Sequence, residues 1–274
     1  MATSRRAVGL AAVLAAGAGA ALFPTAGSAT TAPDDYCAAH LALEAAVNGE
    51  DPAAIEPAVG AALEAAPEEL AGTVQAMIES APQDGPPTPE FIAAYNEVAG
   101  WVRDNCGFGD VQVLAQDYSF GGLPEEVAGG PTVIELVNEG TELHEIVLIR
   151  RAEGFDAPLA DVLAMLAEED EGEGPPDGAE GTGPPIEGEM AEPPISFAGA
   201  AFAYPGESGF GVFDLTPGNY IAVCFIPVGT TAEAFEEMMA SMEGSGPPME
   251  GSGPPMEEGA PHFTEGMAQE FTVS

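Results

Sequence analysis

The chain has 274 residues, 46% of them hydrophobic, and a formal net charge of −41 from 46 Asp and Glu against five basic residues, all Arg. That balance excludes nucleic acid as a partner, because neutralising phosphates takes clustered cations, and it disfavours an anionic membrane surface. The apolar fraction suffices for one large domain or two small ones, and the clustering of 35 Gly and 26 Pro points to inserted loops rather than uniform disorder.

Residues 1–33 read as a signal peptide. Ser4, Arg5 and Arg6 form a basic start, residues 7–23 are an Ala/Gly/Leu/Val run, and small residues follow to a cleavage site near Ala29. The Arg pair weakly resembles a twin-arginine signal, and ordinary secretion fits as well. The run of about 17 residues falls short of the ~20 that span a bilayer, so no membrane span is expected after cleavage. An uncleaved anchor is the competing reading. The expected location is secreted or otherwise extracytoplasmic.

Residues 34–108 are rich in Ala, Glu and Leu. Asp34 or Asp35 caps a first helix that Asn48 and Gly49 end, Pro52 and Pro67 sit at further helix starts, and Thr88 caps a last helix with an apolar face through Phe91, Ile92, Tyr95, Val98, Trp101 and Val102. A small bundle of three or four helices is expected. Three cysteines in an exported chain leave one over after a disulfide. Cys37 falls in the first turn of the first helix and Cys106 at the end of the last. A bridge between them would tie the two together and contribute about 4 kcal/mol in the chain-entropy model; two free buried thiols are the alternative. His40, one turn from Cys37, has no partner in sight and reads as a helix-surface or capping residue.

From Asp110 the pattern turns to period two and to strand formers. Strands are expected over 111–120, 131–140, 144–151, 197–204, 209–215, 219–226 and 267–274. Two low-complexity insertions interrupt them. The first, about 153–195, holds a short helix (158–168) and an acidic Gly/Pro tract too poor in apolar residues to order itself. The second, about 228–260, holds a helix (231–242) and a tandem repeat, MEGSGPP at 242–248 and again at 249–255. Seven or so short strands make a β-sandwich.

The chain then places His144 at the start of a strand, Cys224 at the end of one, and His262 with Met267 in the approach to the last. Two imidazoles, a thiolate and a weak thioether are the ligands of a mononuclear electron-transfer copper site. Through NEGTELHE (138–145), PGNY (217–220) with Cys224, and PHFTEGM (261–267), residues 110–274 resemble the cupredoxin family of blue type 1 copper proteins. The resemblance implies a cupredoxin-like Greek-key sandwich and one copper ion held by His144, Cys224, His262 and Met267. The whole chain is then an α+β multidomain protein: helical bundle first, sandwich second.

One departure stands out. The family keeps few residues between its cysteine and second histidine, and here residues 225–261, 37 of them, intervene. Such a lobe can bulge from the site if Pro227 and Pro261 stay close, because loop length costs entropy only slowly.

The function expected is an exported blue copper protein carrying single electrons, not an enzyme, with a redox partner that docks through a basic patch. A copper-carrying or copper-buffering protein is the alternative, with Met238, Met239, Met242, Met249 and Met256 as a capture arm or merely part of a spacer. A metal-free binding sandwich with an acidic docking surface is a further one.

Overall fold

The computed structural model describes residues 33–49, 51–82, 87–170, 193–243 and 259–274. Residues 1–32 of the expected signal peptide, the acidic Gly/Pro tract of 171–192 and residues 244–258 of the tandem repeat lie outside the described residues, as do the side chains of all five methionines of the second insertion. Among the described residues no helix is long and apolar enough to cross a membrane.

Four helices come first: α1 (Pro33–Asn48), α2 (Ile55–Ala65), α3 (Ala71–Glu79) and α4 (Pro89–Asn105). Asp51 accepts from Ala53 N–H at the head of a short 3-10 turn before α2, and Thr88 accepts from Phe91 N–H at the head of α4, each satisfying a donor the helix start leaves free. Cys37 and Cys106 form a disulfide that ties α1 to the end of α4.

The strands follow as two sheets. The first has the order β2-β1-β4-β7, from β2 (Ser119–Gly121), β1 (Gly109–Gln116), β4 (Gly130–Asn138) and β7 (Ser208–Leu215). The second has the order β3-β9-β8-β5-β6, from β3 (Glu126–Val127), β9 (Ala268–Val273), β8 (Gly218–Val223), β5 (His144–Arg151) and β6 (Ile195–Ala203). β1 and β4 run parallel, so their C-terminal ends meet at the same edge of the sandwich. The stretch 111–120, expected as one strand, is a hairpin: Gln116 pairs with Ser119 across the two-residue turn Asp117–Tyr118. Tyr118 takes a positive φ of 67° there, which lets the chain reverse at a cost most side chains avoid.

The core between the sheets is built from inward residues such as Val113, Leu136, Ile146, Leu148 and Phe213. β5 is buried on both faces, which explains its unbroken apolar run. Val147 and Ile149 point the other way, under α5 (Leu159–Asp170), where Val162 and Leu166 cover them.

The helices do not close on a core of their own. Their cluster of Tyr36, Leu43, Val74, Val98 and Val102 takes in Val133 and Val212 of the first sheet. β7 ends that sheet, and α4 satisfies its outer edge: Phe210 N–H donates to Asn96 Oδ1 (3.0 Å) and Val212 N–H to Tyr95 Oη (3.4 Å).

His40 is fully buried, which overturns its reading as a surface or capping residue. α1 turns it inward, because its helix packs on a sheet as well as on helices. Nε2 faces Glu44 Oε1 at 3.4 Å, and the Tyr36 and Tyr95 rings flank the imidazole. Burial pushes His40 down to about 4 and Glu44 up to about 7, the latter against a hydrogen bond from Tyr95.

Two predictions follow from this layer. Replacing Cys37 and Cys106 together by Ser is expected to cost about 2–4 kcal/mol in denaturant unfolding while leaving metal binding at the far end of the sandwich unchanged. Glu44 stands above its ordinary 4.5 in the folded protein, so the stability tied to its neutral form is complete below that value and lost as pH rises through about 7. Glu44→Gln should therefore gain about 1–3 kcal/mol over wild type at pH 8 and almost nothing at pH 4. The loss His40 brings below its ordinary 6.5 acts in both proteins alike.

Candidate metal centre

Chain direction brings the expected ligands to one end of the sandwich. β8 and β5 are antiparallel, so Cys224, just past the end of β8, lies beside His144 at the start of β5. β9 is antiparallel to β8, so Met267, just before β9, comes to the same end. A 3-10 turn (His262–Glu265) holds His262, and Gly266 at φ 116° ends it and swings the chain back to Met267.

The 37-residue lobe leaves through a closed neck. Pro227 and Pro261 form an isolated antiparallel bridge. Val228 N–H donates to Ala260 O, His262 N–H to Ile226 O, and Phe263 N–H to Cys224 O, at 2.9–3.0 Å. Cys224 N–H donates to Met267 O (3.2 Å) and Met267 N–H to His262 O (3.1 Å). The main chains of the three C-terminal candidates are thus tied directly to one another.

His144, Cys224 and His262 are all fully buried, and each offers a donor atom within 4.8 Å of the others'. His144 Nδ1 lies 3.1 Å from His262 Nδ1, which lies 3.3 Å from Cys224 Sγ. Such spacing suits a single first-row ion at bonds of about 2 Å. Met267 is fully buried in the same cluster as Cys224.

The rings' other nitrogens face carboxylates. His144 Nε2 is 3.3 Å from Asp117 Oδ1, and His262 Nε2 is 3.0 Å from Glu142 Oε2. The outward bonds leave both Nδ1 lone pairs facing each other and a thiol in a buried space. Once the thiol proton leaves, the three form a cluster of acceptors that a cation completes. Two imidazoles and a sulfur with a thioether alongside match copper better than zinc, whose sites seldom use thioether. The donor set is that of one copper ion. The described part of residues 110–274 has the two-sheet sandwich, with the ligands gathered at one end, that the cupredoxin resemblance implies.

Charge and burial suit that assignment. Burial, and then the nearby Glu145 carboxyl, push the Cys224 thiol well up, so the sulfur stays protonated until a metal displaces the proton. Burial, with His262 beside it, pulls His144 down, keeping the imidazole neutral and able to bind. Glu145 N–H donates to Cys224 Sγ (3.5 Å) and its carboxyl accepts from Phe225 N–H (3.1 Å), joining the two ligand segments. Burial pushes that carboxyl up to about 7.

No family model matches this chain, nor does any curated protein. Among solved structures it is similar to three auracyanins. The dithionite-reduced auracyanin of the photosynthetic bacterium Roseiflexus castenholzii is 18% identical over 60% of this chain and 96% of that one, with a TM-score of 0.32. Auracyanin A, a "blue" copper protein of Chloroflexus aurantiacus, is 14% identical over 61% and 100%, with a TM-score of 0.31. Auracyanin B is 18% identical over 61% and 88%, at 0.29. Superpositions this loose add no weight, and the case for copper rests on the donor atoms.

All four expected ligands lie at this end of the sandwich. Sequence reading missed Asp117, Tyr118, Glu142 and Glu145. Glu142 and Glu145 flank His144 within two residues, a signal that proximity alone could have raised. Asp117 and Tyr118 were hidden by the hairpin read as a strand. The closed neck also predicts that the lobe is dispensable for binding: replacing residues 244–258 with a short Gly-Ser linker should leave Cu(II) affinity, measured by competitive titration, within about threefold of wild type.

Proposed function

We propose that this protein carries single electrons on one copper ion, which His144 Nδ1, His262 Nδ1 and Cys224 Sγ would hold, with the Met267 thioether as a fourth, weaker donor. The observation that carries the proposal is the convergence of those three buried donor atoms at one end of a packed sandwich. Electron transfer needs a site that changes little between Cu(I) and Cu(II). Here the ligand backbones are hydrogen-bonded to one another and the rings are held from behind, so the protein resists rearrangement.

The protein's own groups do the rest. Cys224 supplies the sulfur through which charge leaves or enters along the main chain of β8. Cys224 is fully buried in the core between the sheets with Ile146, Ala203 and Met267, and this apolar packing keeps water from the sulfur. The sequence has three histidines, two are committed to this site and His40 is held in the helices. That leaves no imidazole cluster for oxygen chemistry and supports a carrier rather than an enzyme. The Cys37–Cys106 disulfide supports an oxidising, extracytoplasmic location. The charge of −41 supports a redox partner with a basic docking patch.

Adding Cu(II) to the purified protein should produce an intense visible band from sulfur-to-copper charge transfer, with one equivalent bound. Cys224→Ser should abolish the band, and Met267→Gln, which replaces the thioether by a harder oxygen donor, should keep it and lower the reduction potential. Copper binding with no such band in wild type would sink the electron-carrier reading.

A further inference from the structure

Glu142 and Asp117 sit behind the two imidazoles, and each is held there by other bonds. Glu142 takes His262 Nε2 on Oε2 at 3.0 Å and the Tyr118 hydroxyl on Oε1 at 2.9 Å. It also accepts from Gly229 N–H, in the neck of the second insertion. Asp117 takes His144 Nε2 on Oδ1 at 3.3 Å, Thr141 N–H on the same oxygen at 2.9 Å, and the Thr141 hydroxyl on Oδ2 at 3.0 Å.

The backbone is shaped around these contacts. Buried Asn138 donates to Glu142 O (2.8 Å) and Ala203 O (3.0 Å) and accepts from Gly140 N–H (2.8 Å), which folds the 138–142 loop over the site. A Cβ on Gly140 would collide with Asp117 Oδ1 and come within 2.7 Å of His144 Nε2, so glycine leaves the gap in which the carboxylate meets the ring. The hairpin turn that forces Tyr118 into positive φ delivers both Asp117 and the Tyr118 ring, which meets His262 edge-on at 5.2 Å. Strain of this kind persists where its surroundings enforce it.

We infer that Glu142 and Asp117 are positioning residues that orient both imidazoles with Nδ1 inward and, by placing a negative charge behind each ring, make the site favour Cu(II) over Cu(I). A carboxylate accepting Nε2–H raises the electron density at the opposite nitrogen. Two such charges close to the ion are worth more against a doubly than a singly charged cation. Glu142 has 13% of its side chain exposed and Asp117 36%, so Glu142 is the less screened of the two and exerts the larger effect. This inference rests on the copper reading above and adds to it the groups that set the balance between the two oxidation states.

The test is the double variant Asp117→Asn with Glu142→Gln, in which each amide oxygen still accepts the Nε2–H, the NH2 donates to the Tyr118 or Thr141 hydroxyl that formerly donated, and the charge is lost. Cu(II) and Cu(I) affinities are measured by competition with chelators of each ion, and the reduction potential by direct titration. Cu(II) affinity should fall at least tenfold more than Cu(I) affinity, raising the potential by about 59 mV for each tenfold. Should the double variant fail to fold, the single Asp117→Asn, at the more exposed carboxylate, should move the ratio the same way. A second readout needs no redox change: in the Cu(I) protein the His262 Nε2–H should exchange slowly with solvent, and Glu142→Ala should remove that protection. Equal losses for both ions, an unchanged ratio, or an unprotected His262 Nε2–H in wild type would each overturn the inference. Wild type that takes up no copper overturns the reading of the site, and this inference falls with it.

Discussion

The copper site depends on main-chain hydrogen bonds that join Cys224, His262 and Met267 to one another. Ligands far apart in sequence are useful to a metal only if the chain between them cannot pull them out of place. Here the separation is set by the rungs from 224–228 to 260–263, and the number of residues beyond the Pro227–Pro261 bridge does not enter. The innermost of these bonds, at Cys224, His262, Phe263 and Met267, lie on buried residues, where leaving the group unpaired would cost more than the bond itself contributes. The neck therefore fixes ligand spacing and also stops the ladder from fraying toward the lobe.

The sandwich supplies the remaining constraint. β5 packs on both faces, against the inner core on one side and α5 on the other, which leaves His144 little freedom at its head. β8 lies between β5 and β9, so Cys224 and Met267 inherit the register of two neighbours. The Glu145 contacts to Cys224 Sγ and Phe225 N–H then cross-link the ends of these strands. Pulling on any one ligand means distorting a packed sheet.

Much of this was legible in the residues. Period-two runs marked β4 and β7, and the order His, Cys, His, Met pointed to the site because those side chains share a chemistry that chance seldom assembles. Cys37 and Cys106 were readable because they bracket the helices. Contacts between segments were not. Nothing in VQVLAQDYSF reveals that Asp117 turns the chain, since Tyr at a positive φ is the opposite of the usual glycine signal. The carboxylates of Asp117 and Glu142 looked like two more acids in a chain with 46; only the fold separates them from solvated ones. His40 failed for a similar reason. It read as a surface or capping residue because no partner was in sight along the chain, whereas α1 is packed against both the neighbouring helices and the sheet, which buries His40 beside Glu44 and the two tyrosines.

The way α4 meets β7 has a wider consequence. A sheet that ends on a strand with open N–H groups invites another strand to add to it, from its own chain or from a second copy. Asn96 and Tyr95 occupy two of those groups from the side. The N-terminal helices thereby act as a built-in stopper on the first sheet, and the disulfide keeps the stopper from drifting off. For a strongly acidic protein, that guards against the kind of polymerisation that charge repulsion alone would not prevent once two edges came into register.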